Sequence, residues 1–186
     1  MKRSIDITLS ILILFFLIPL IIITFFLIKL DSKGPIFFAS YRAGKNDKSF
    51  KMFKFRTMHI NTEIIETDKL KNTEQKITKI GKYLRRYSID EIPQFYSVLI
   101  GDMSIVGPRP ALFTQKELLR KRNKLGINKL KPGITGYAQI NGRDLLILEK
   151  KIDLEYEYLK KNNLMFDFLI MIKTIKVVFT KKGVTH

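Results

Sequence analysis

The longest apolar stretch of the chain lies near its N-terminus. Residues 7–28 carry no charged side chain and consist mostly of isoleucine, leucine and phenylalanine. A helix needs about 20 such residues to cross the hydrocarbon core of a bilayer. Residues 1–31 are therefore predicted to form a membrane segment, and residues 32–186 a single domain that follows it.

Two features of this stretch favour a re-entrant helix over a simple span. Pro19 lies near its middle, where a proline removes a backbone hydrogen bond and kinks a helix. Basic residues flank both ends, with Lys2 and Arg3 before the stretch and Lys29, Lys33 and Arg42 after it. Because basic flanks stay on the cytoplasmic side, both ends are predicted to lie on that side. A simple span is the alternative that the sequence leaves open, whereas no small-residue site for signal-peptide cleavage follows.

Two short strand-like segments around a turn follow the membrane stretch and predict a β-hairpin. Residues 35–39 and Ser49–Phe55 have the pattern of short strands, and residues 44–47 contain the glycine, asparagine and aspartate of a turn. The second strand leads into two cations, Lys54 and Arg56. These cations are equally compatible with an edge strand that faces solvent and with a site that binds substrate.

The rest of the chain is predicted to be mostly helical, which gives an α+β fold class with one small hairpin. The candidate helices are residues 80–87, 114–123, 145–161 and 164–179. The second of these is basic and is predicted to be solvated or to lie on lipid headgroups. The last is apolar with interspersed charges, a pattern typical of an amphipathic helix in the membrane interface. Packing of that helix against the core is the alternative.

The composition narrows the classes of partner and metal site. The 186 residues include 34 lysines and arginines against 17 aspartates and glutamates, a formal net charge of +17. Such an excess indicates a polyanionic partner, which can be nucleic acid, an anionic membrane surface or phosphorylated substrates. The absence of cysteine excludes disulfides and thiolate metal sites. His59 and His186 are far apart in sequence, so a histidine-based zinc site is not predicted.

An adjacent pair of carboxylates, Asp90 and Glu91, follows two consecutive arginines, Arg85 and Arg86. If the pair opens a helix, the amides and the dipole of the first turn favour a bound anion beside Asp90. Successive residues on a helix diverge by about 100°, so one carboxylate can act as a nucleophile while the other binds a metal. The competing interpretation is structural, because Ser88 and Glu91 have the spacing of a capping box.

A stiff turn at residues 107–110 presents Arg109 between two prolines. Prolines fix φ and remove alternative loop conformations. The guanidinium is therefore predicted to be positioned in advance for a phosphate, which its planar fork binds through two hydrogen bonds. A glycine-bearing segment at residues 131–143, which ends in Arg143, allows close backbone approach to a ligand. Taken alone, that segment is only weak evidence for a ligand-binding site.

With these segments in order, the chain resembles the bacterial polyprenyl-phosphate sugar-1-phosphate transferases, in particular the small monotopic type that uses bacillosamine phosphate or related sugars. The resemblance covers nearly the whole chain. It rests on Gly34-Pro-Ile-Phe-Phe38, Lys54-Phe-Arg-Thr-Met58, Ser88-Ile-Asp-Glu-Ile-Pro-Gln94, Gly101-Asp-Met-Ser-Ile-Val-Gly-Pro-Arg-Pro110 and Pro132-Gly-Ile-Thr-Gly-Tyr-Ala-Gln139 with Asn141-Gly-Arg143. Five blocks in the family's order are far more specific than any one of them.

The resemblance implies a membrane enzyme at the cytoplasmic face of the bacterial inner membrane, with a re-entrant helix. Such an enzyme moves a sugar phosphate from a UDP-sugar to undecaprenyl phosphate and releases UMP, as the first membrane step of glycan or glycoprotein assembly. Asp90 is then expected to be the nucleophile that forms a covalent phosphosugar–enzyme. Glu91 is expected to complete the catalytic pair and to help hold Mg²⁺, which neutralises diphosphate charge.

The side chains predicted to bind the substrates lie in or beside these blocks, and phosphate binding is what the resemblance implies for Arg109, Arg86 and Arg143. The complete set is Lys54, Arg56, Arg85, Arg86, Arg109, Gln139 and Arg143. Three positions depart from the family's usual pattern: Ile18 in place of a serine before the proline, Ser40 in place of a common glutamine, and Glu155 in place of an aspartate. Glu155 is therefore given no catalytic role.

A different class of function competes with this one: a basic, membrane-tethered protein that binds anionic lipid or nucleic acid through charge alone. Such a protein is expected to present a basic stripe with exposed aromatic side chains. The prominent block here is a carboxylate pair beside arginines, a poor surface for a polyanion, so nucleic acid is not a predicted partner. A hydrolase, in which water replaces the polyprenyl phosphate, is excluded only by the resemblance.

Overall fold

A computed structural model of the chain describes residues 1–60, 62, 73–142 and 145–180. Its helices are α1 (Lys2–Phe16), α2 (Ile18–Asp31), α3 (Thr73–Lys76), α4 (Lys79–Arg86), α5 (Gln94–Ile100), α6 (Lys116–Lys124), α7 (Tyr137–Ile140), α8 (Leu148–Lys161) and α9 (Leu164–Thr180). Its strands are β1 (Phe37–Ala43), β2 (Ser49–Phe55), β3 (Ser104–Val106) and β4 (Gly133–Thr135). The predicted class, a mostly helical α+β fold, is confirmed.

β1 and β2 form the predicted hairpin and pair antiparallel along their full length. The turn between them holds Asn46 and Asp47 at positive φ, a conformation that these two residue types tolerate better than most. The first strand continues past its predicted end at Ala39 to Ala43, because its partner strand extends back to Ser49. The hairpin is therefore longer than the sequence pattern indicated.

A second sheet of two parallel strands joins β3 to β4, with Ser104 opposite Gly133 and Val106 opposite Thr135. The sequence did not predict it, since each strand has three residues and is too short to show a periodic pattern. A Cβ on Gly133 would overlap the backbone of Gly107. The close approach of the two segments therefore requires glycine at this position.

The membrane stretch forms two helices that meet at Leu17 with a bend of 61°. The break lies at Leu17 rather than at the predicted Pro19, which belongs to the first turn of α2, where its missing N–H costs nothing. In a continuous helix the proline ring would clash with the carbonyl of Phe15. No single helix among the described residues is long and apolar enough to cross a membrane, whereas α1 and α2 together meet that test.

The start of α1 is attached to the domain that follows. The Asp6 carboxylate is buried and accepts hydrogen bonds from a hydroxyl and an amide of β3, at 2.8 and 3.2 Å. Lys2 Nζ lies 2.7 Å from Asp167 Oδ2 on α9. Arg3 donates to two backbone carbonyls near the end of α5. Three elements of the domain, α5, β3 and α9, therefore hold the N-terminal turns of α1.

The end of α2 is attached to the same domain. The buried Arg56 guanidinium donates to the carbonyls of Lys33 and Ser32 at 2.6 and 2.7 Å. On the other side of this junction, Ile80 N donates to Asp31 Oδ2 at 3.1 Å. Both ends of the bent helix pair thus contact one domain.

Three clusters of buried apolar side chains connect these elements. The largest packs the hairpin against α5, β3, α8 and α9, and the third lies between α6 and α8. The second packs α2 against the hairpin and α4. Phe55 of β2 and Ile92, which directly follows the carboxylate pair, belong to this second cluster. The packing therefore holds β2 against the segment that carries Asp90 and Glu91.

α9 buries one face and exposes a wide apolar face. Asp167 and Ile170 are buried, and Thr174 Oγ1 lies 2.7 Å from Thr135 Oγ1. The exposed apolar side chains are Met165, Phe168, Leu169, Ile172 and Ile175. The helix therefore packs against the core, which was the alternative interpretation of its sequence, and still presents an apolar surface outward.

Candidate active site

Asp90 lies in a short 3-10 helix, Ile89–Glu91, between α4 and α5. Ser88 precedes it in the left-handed region, with φ 56°, and the Asp90 side chain is buried. The sequence analysis placed Asp90 in the first turn of a helix if the carboxylate pair opens one, and Asp90 does lie in the first turn of this 3-10 helix. The α-helix begins only at Gln94, after Pro93, because a proline fits the start of a helix and not its interior.

The capping-box interpretation of Ser88 and Glu91 is also wrong. Ser88 forms no side-chain capping hydrogen bond at this turn. The Glu91 carboxylate instead contacts two cations, since its Oε1 lies 2.7 Å from Lys54 Nζ and 3.4 Å from Arg109 Nη1. Glu91 therefore belongs to a cluster of charges and not to a helix cap.

Lys54 joins the two carboxylates. Its Nζ lies 2.7 Å from Glu91 Oε1 and 3.3 Å from Asp90 Oδ2, and 19% of its side chain is exposed. One ammonium reaches both groups because β2 packs against the segment that carries them. The alternative in which Lys54 is a cation on the solvent face of an edge strand is therefore wrong.

The protonation of Asp90 is set by competing effects. Burial raises the pKa of its carboxyl, because desolvation disfavours the charged form. Lys54 and Arg85 lower the pKa of Asp90, whereas the negative charge of Glu91 raises it. The ionised form of Asp90 therefore depends on its cationic neighbours.

The backbone of the turn at residues 107–110 is fixed to β4. Gly107 N donates to the Thr135 carbonyl at 2.8 Å, and Gly133 N donates to the Pro108 carbonyl at 2.9 Å. The Arg109 side chain is 42% exposed. Its guanidinium is therefore accessible to a ligand while its main chain is held in place.

A buried ion pair also holds this turn, and the sequence did not predict it. Nε and Nη2 of Arg122 donate to the two carboxylate oxygens of Glu155 at 2.8 and 2.6 Å, and Nη2 also donates to the Arg109 carbonyl at 3.0 Å. The two side chains are 7% and 2% exposed. α6 and α8 thus fix the main chain of Arg109. Arg122 and Glu155 are 33 positions apart and lie on helices with many other charged residues, so a single sequence does not indicate that they pair.

Arg42 on β1 is a further residue near the cluster that the sequence analysis did not assign to the site. Its Nε lies 3.2 Å from Ser40 Oγ. Burial and the positive charge of Arg109 lower the pKa of Arg42 to about 10, and Glu91 partly offsets them. The period of two along a strand could have identified Arg42, but the first strand was predicted to end at Ala39.

The other predicted substrate-binding cations take different positions. Arg85 is half-buried and acts on the charge of Asp90, whereas its neighbour Arg86 is exposed. Arg56 is not brought into the cluster, because its guanidinium binds the carbonyls at the end of α2. Arg143 lies outside the described residues.

Gln139 lies in α7, near β4. Its side chain is buried, and Nε2 lies 3.4 Å from the Ile134 carbonyl. Its Oε1 has no hydrogen-bond partner among the described residues. Binding of substrate by Gln139 stays a prediction.

The carboxylate pair fits a magnesium ion by the chemistry of its donors. In the part of the chain that the structure describes, no three or more histidine, cysteine, aspartate or glutamate side chains come together as a metal site. Mg²⁺ is commonly held by one or two carboxylates together with substrate phosphates and waters. Asp90 and Glu91, whose oxygens share Lys54 Nζ, offer two such carboxylates, and a substrate phosphate could supply the remaining oxygens.

Comparison with known proteins identifies the family. The family model described as bacterial sugar transferase matches residues 1–181. The UDP-glucose:undecaprenyl-phosphate glucose-1-phosphate transferase of Escherichia coli K12 is 38% identical over 98% of this chain and 41% of its own length. The undecaprenyl-phosphate glucose phosphotransferase of Komagataeibacter xylinus is 39% identical over 94% of this chain and 35% of its own length.

A shorter relative matches along most of its length. The uncharacterized sugar transferase EpsL of Bacillus subtilis is 37% identical over 99% of this chain and 90% of its own length. The chain thus spans less than half of the first two relatives and nearly all of the third. A match that runs from residue 1 to residue 181 shows that the chain belongs to the bacterial sugar transferase family, as its five sequence blocks indicated.

Proposed function

We propose that the protein transfers a sugar 1-phosphate from a UDP-sugar to undecaprenyl phosphate and releases UMP. The observation that carries the proposal is the buried Asp90 carboxylate, held by Lys54 beside Glu91 and Arg109. The names of the Escherichia coli and Komagataeibacter xylinus relatives, which are undecaprenyl-phosphate sugar phosphotransferases, support the two substrates.

The first step is an attack of an Asp90 carboxylate oxygen on the sugar-bearing phosphorus of the UDP-sugar. An O–P bond forms to Asp90, the bond between that phosphorus and the bridging diphosphate oxygen breaks, and the electron pair leaves with UMP. Burial raises the pKa of Asp90, and Lys54 opposes this rise and so favours the ionised carboxylate that attacks. The product is a covalent phosphosugar–aspartyl enzyme, which divides one difficult displacement into two easier ones.

The second step returns the enzyme to its starting state. An oxygen of undecaprenyl phosphate attacks the same phosphorus, the O–P bond to Asp90 breaks, and the carboxylate is regenerated. The product is a polyprenyl-diphosphate sugar. Lys54 then stabilises the Asp90 anion as the leaving group, through the contact that activates it in the first step.

Cations around the carboxylates would bind the phosphates. Arg109, with its exposed guanidinium 3.4 Å from Glu91, is the best placed to reach a diphosphate. Bound Mg²⁺, which Glu91 would help to hold, would neutralise charge on the phosphate oxygens. Lys54 and Arg85 are cations close enough to Asp90 to lower its pKa, and their positive charges limit the repulsion between the Asp90 carboxylate and an incoming phosphate.

Both ends of the bent helix pair contact the same domain, which supports a re-entrant membrane helix. α1 and α2 have 15 and 14 residues, about 21 to 23 Å at 1.5 Å per residue. Each is shorter than the roughly 30 Å hydrocarbon core. Residues 1–31 would therefore enter and leave the membrane on one side, with residues 32–186 forming the catalytic domain on that side.

The exposed apolar face of α9 supports contact of the domain with the same membrane surface. Its large apolar side chains lie beside Lys173 and Lys176, both exposed, as in helices that lie in the interface. The basic flanks of the membrane segment favour the cytoplasmic face. A bacterial inner-membrane location follows from the undecaprenyl-phosphate substrate.

The test of this function measures UMP release from a panel of UDP-sugars with Mg²⁺, with and without undecaprenyl phosphate. Asp90→Asn is compared with Asp153→Asn, which removes an exposed carboxylate on α8. We expect lipid-dependent release from at least one sugar, abolished by Asp90→Asn and retained by Asp153→Asn. Release without lipid would indicate hydrolysis, and full activity of Asp90→Asn would contradict the mechanism.

A charged protein that only binds anionic lipid or nucleic acid is not favoured by this site. Lys54 and Arg109 already pair with the Glu91 carboxylate beside the buried Asp90, and binding through charge alone requires no such carboxylates. Such a protein would release no UMP with any donor, whereas it would retain salt-sensitive binding to anionic vesicles.

A further inference from the structure

Arg42 lies on the face of the hairpin that also carries Lys54. Side chains two apart on a strand share a face, and residues directly opposite on paired strands point to the same side. Arg42 is opposite Phe50, and Phe38, four residues earlier on β1, is opposite Lys54. The same face therefore presents one cation from each strand toward the carboxylate cluster.

The end of β1 is also joined to the turn that carries Arg109. Ala43 N donates to the Ala111 carbonyl at 3.0 Å, which connects the residue after Arg42 to a residue two positions beyond Arg109. This contact and the shared face place Arg42 at the end of the hairpin that lies next to the turn at residues 107–110. Arg42 interacts electrostatically with both Arg109 and Glu91, as that location requires.

The Arg42 guanidinium is only partly used by the protein. Among the described residues, its sole hydrogen bond is from Nε to Ser40 Oγ at 3.2 Å, and it forms no ion pair there. Its two terminal nitrogens therefore have unused donors. A half-buried guanidinium usually has a carboxylate partner, whereas the charged group that most affects Arg42 here is another arginine, Arg109.

The balance of charge around this point favours an added anion. Lys54, Arg109 and Arg42 supply three positive charges, and Asp90 and Glu91 supply two negative charges. Two like-charged guanidiniums held near each other are stabilised when an anion binds between them. Phosphate is the anion whose geometry suits the guanidinium fork.

We propose that Arg42 binds a phosphate group of the substrates, as the second guanidinium of a phosphate site whose first is Arg109. The proposal rests on the function proposed above, because that reaction supplies the phosphates. The phosphate belongs either to the diphosphate of the nucleotide donor or to the lipid acceptor. In either case Arg42 contacts substrate directly, through the terminal nitrogens that the protein leaves unused.

The experiment compares Arg42→Gln and Arg42→Lys with wild type and with Lys51→Gln. Lys51 lies on the opposite face of the same hairpin and is exposed, so its loss removes the same charge from the same element. Kinetics are measured with the donor varied and then with undecaprenyl phosphate varied. Thermal unfolding of each variant checks that the hairpin is intact.

We expect Arg42→Gln to lower kcat/KM by about 10- to 100-fold for the substrate whose phosphate it binds, the range of a lost hydrogen bond to a charged group. Arg42→Lys should recover part of this loss, because the charge stays while the fork is lost. A larger effect on the donor, with weaker product inhibition by UMP, assigns Arg42 to the nucleotide. A larger effect on the acceptor assigns it to the lipid phosphate.

Two results would overturn the proposal. One is an Arg42→Gln variant with the kinetics of wild type and of Lys51→Gln. The other is a loss of activity that matches a loss of thermal stability and that Arg42→Lys does not relieve, which would assign Arg42 to the support of Ser40 and β1. Failure of the proposed function is a separate outcome, because wild-type protein would then release no UMP at all.

Discussion

Asp90 combines two requirements that oppose each other. Burial protects its carboxylate from water but raises its pKa, and a protonated carboxyl cannot attack phosphorus. Lys54, 3.3 Å from Asp90 Oδ2, lowers the pKa of Asp90 and so preserves the ionised form. The reactivity of this one side chain is therefore tied to a neighbour on another element.

Lys54→Gln tests that dependence. Without the ammonium, the pKa of Asp90 rises further, so the acid limb of the pH–activity profile is expected to move to higher pH. On the acid side of the profile, activity is expected to fall by about tenfold for each unit by which the pKa of Asp90 rises. Initial rates of UMP release between pH 5 and 9 measure both effects.

The matched control for this variant is again Lys51→Gln, on the opposite face of the hairpin. It removes one lysine from the same strand and is expected to leave the acid limb in place. An unchanged acid limb in Lys54→Gln would show that Lys54 does not set the ionisation of Asp90.

Burial of Asp90 also has a consequence for stability. A carboxyl with a raised pKa in the folded state binds protons more readily there than in the unfolded chain. Its contribution to the free energy of unfolding is therefore fully present at low pH and is lost as pH rises through the folded pKa. Asp90→Asn removes this titration, so its melting temperature is expected to exceed that of wild type increasingly as the pH rises above the ordinary carboxyl pKa of 3.8. Parallel melting curves above that pH would contradict the pKa shift.

Individual site residues could be predicted from sequence where the chain itself brings them together. Asp90 and Glu91 are adjacent, and the prolines around Arg109 indicate a fixed turn. Lys54 could be named as a candidate from the sequence. Its contact with the carboxylates, however, depends on the packing of β2 against a segment that lies 36 positions further along the chain at Asp90. Arg56 is a cation only two positions from Lys54 and could not be distinguished from it by sequence, yet its guanidinium binds main-chain carbonyls instead.

At the scale of elements, the turn at residues 107–110 is held by two helices, α6 and α8, to which no substrate-binding residue has been assigned. The Arg122–Glu155 pair connects α6 to α8 and holds the Arg109 carbonyl at 3.0 Å. Because both side chains are buried, each needs the other to offset its desolvation. The turn is therefore positioned by a contact whose loss would affect the site through the main chain.

Glu155→Gln is expected to leave Arg122 charged, buried and poorly paired. Removal of one partner of a buried pair costs about 3–5 kcal/mol, so the melting temperature should fall markedly. Glu155→Asp, which keeps the charge on a shorter side chain, should lose less. Thermal unfolding and kcat/KM are measured for both variants, with Glu157→Gln as the control because Glu157 makes a partly exposed pair on the same helix.

Equal stability of Glu155→Gln and Glu157→Gln would contradict a structural role of the buried pair. If Glu155→Asp keeps wild-type stability but loses kcat/KM, the pair positions Arg109 as well as stabilising the fold. Retention of both quantities would show that the turn is held by the glycine contacts with β4 alone.

Secondary structure could be predicted where the pattern is long and regular. The hairpin and the long helices had enough residues to show a period, although the end of β1 was missed. β3 and β4 have three residues each and pair only because distant glycines allow close approach. The break in the membrane helix lies at Leu17 and not at Pro19, because a proline acts on the turn that precedes it.

At the scale of the whole molecule, the attachments of α1 and α2 to the domain are the basis for the re-entrant arrangement proposed above. Asp6, Lys2 and Arg3 hold one end against the domain, and Arg56 holds the other. A straight span would separate these ends by the thickness of the bilayer. The sequence indicated this arrangement through its basic flanks but could not show the contacts, which join residues between 24 and 165 positions apart.

The absence of native cysteine makes the arrangement testable by labelling. Ser4→Cys and Lys51→Cys each place one thiol at an exposed position, at the start of α1 and on the hairpin. In intact spheroplasts both are expected to resist a membrane-impermeant maleimide, and both should react after permeabilisation. Reaction of Ser4→Cys alone in intact spheroplasts would show that the helix pair crosses the membrane.

The central claim is that Asp90 carries the sugar phosphate during the reaction, and the most direct measurement is the intact mass of the protein. The enzyme is incubated with an accepted UDP-sugar and Mg²⁺, without undecaprenyl phosphate, and the mass is recorded before and after the lipid is added. We predict a gain equal to one sugar phosphate that is absent in Asp90→Asn and disappears when the lipid is supplied. Lipid-dependent turnover by an enzyme that never gains this mass, or a gain that persists in Asp90→Asn, would contradict the account.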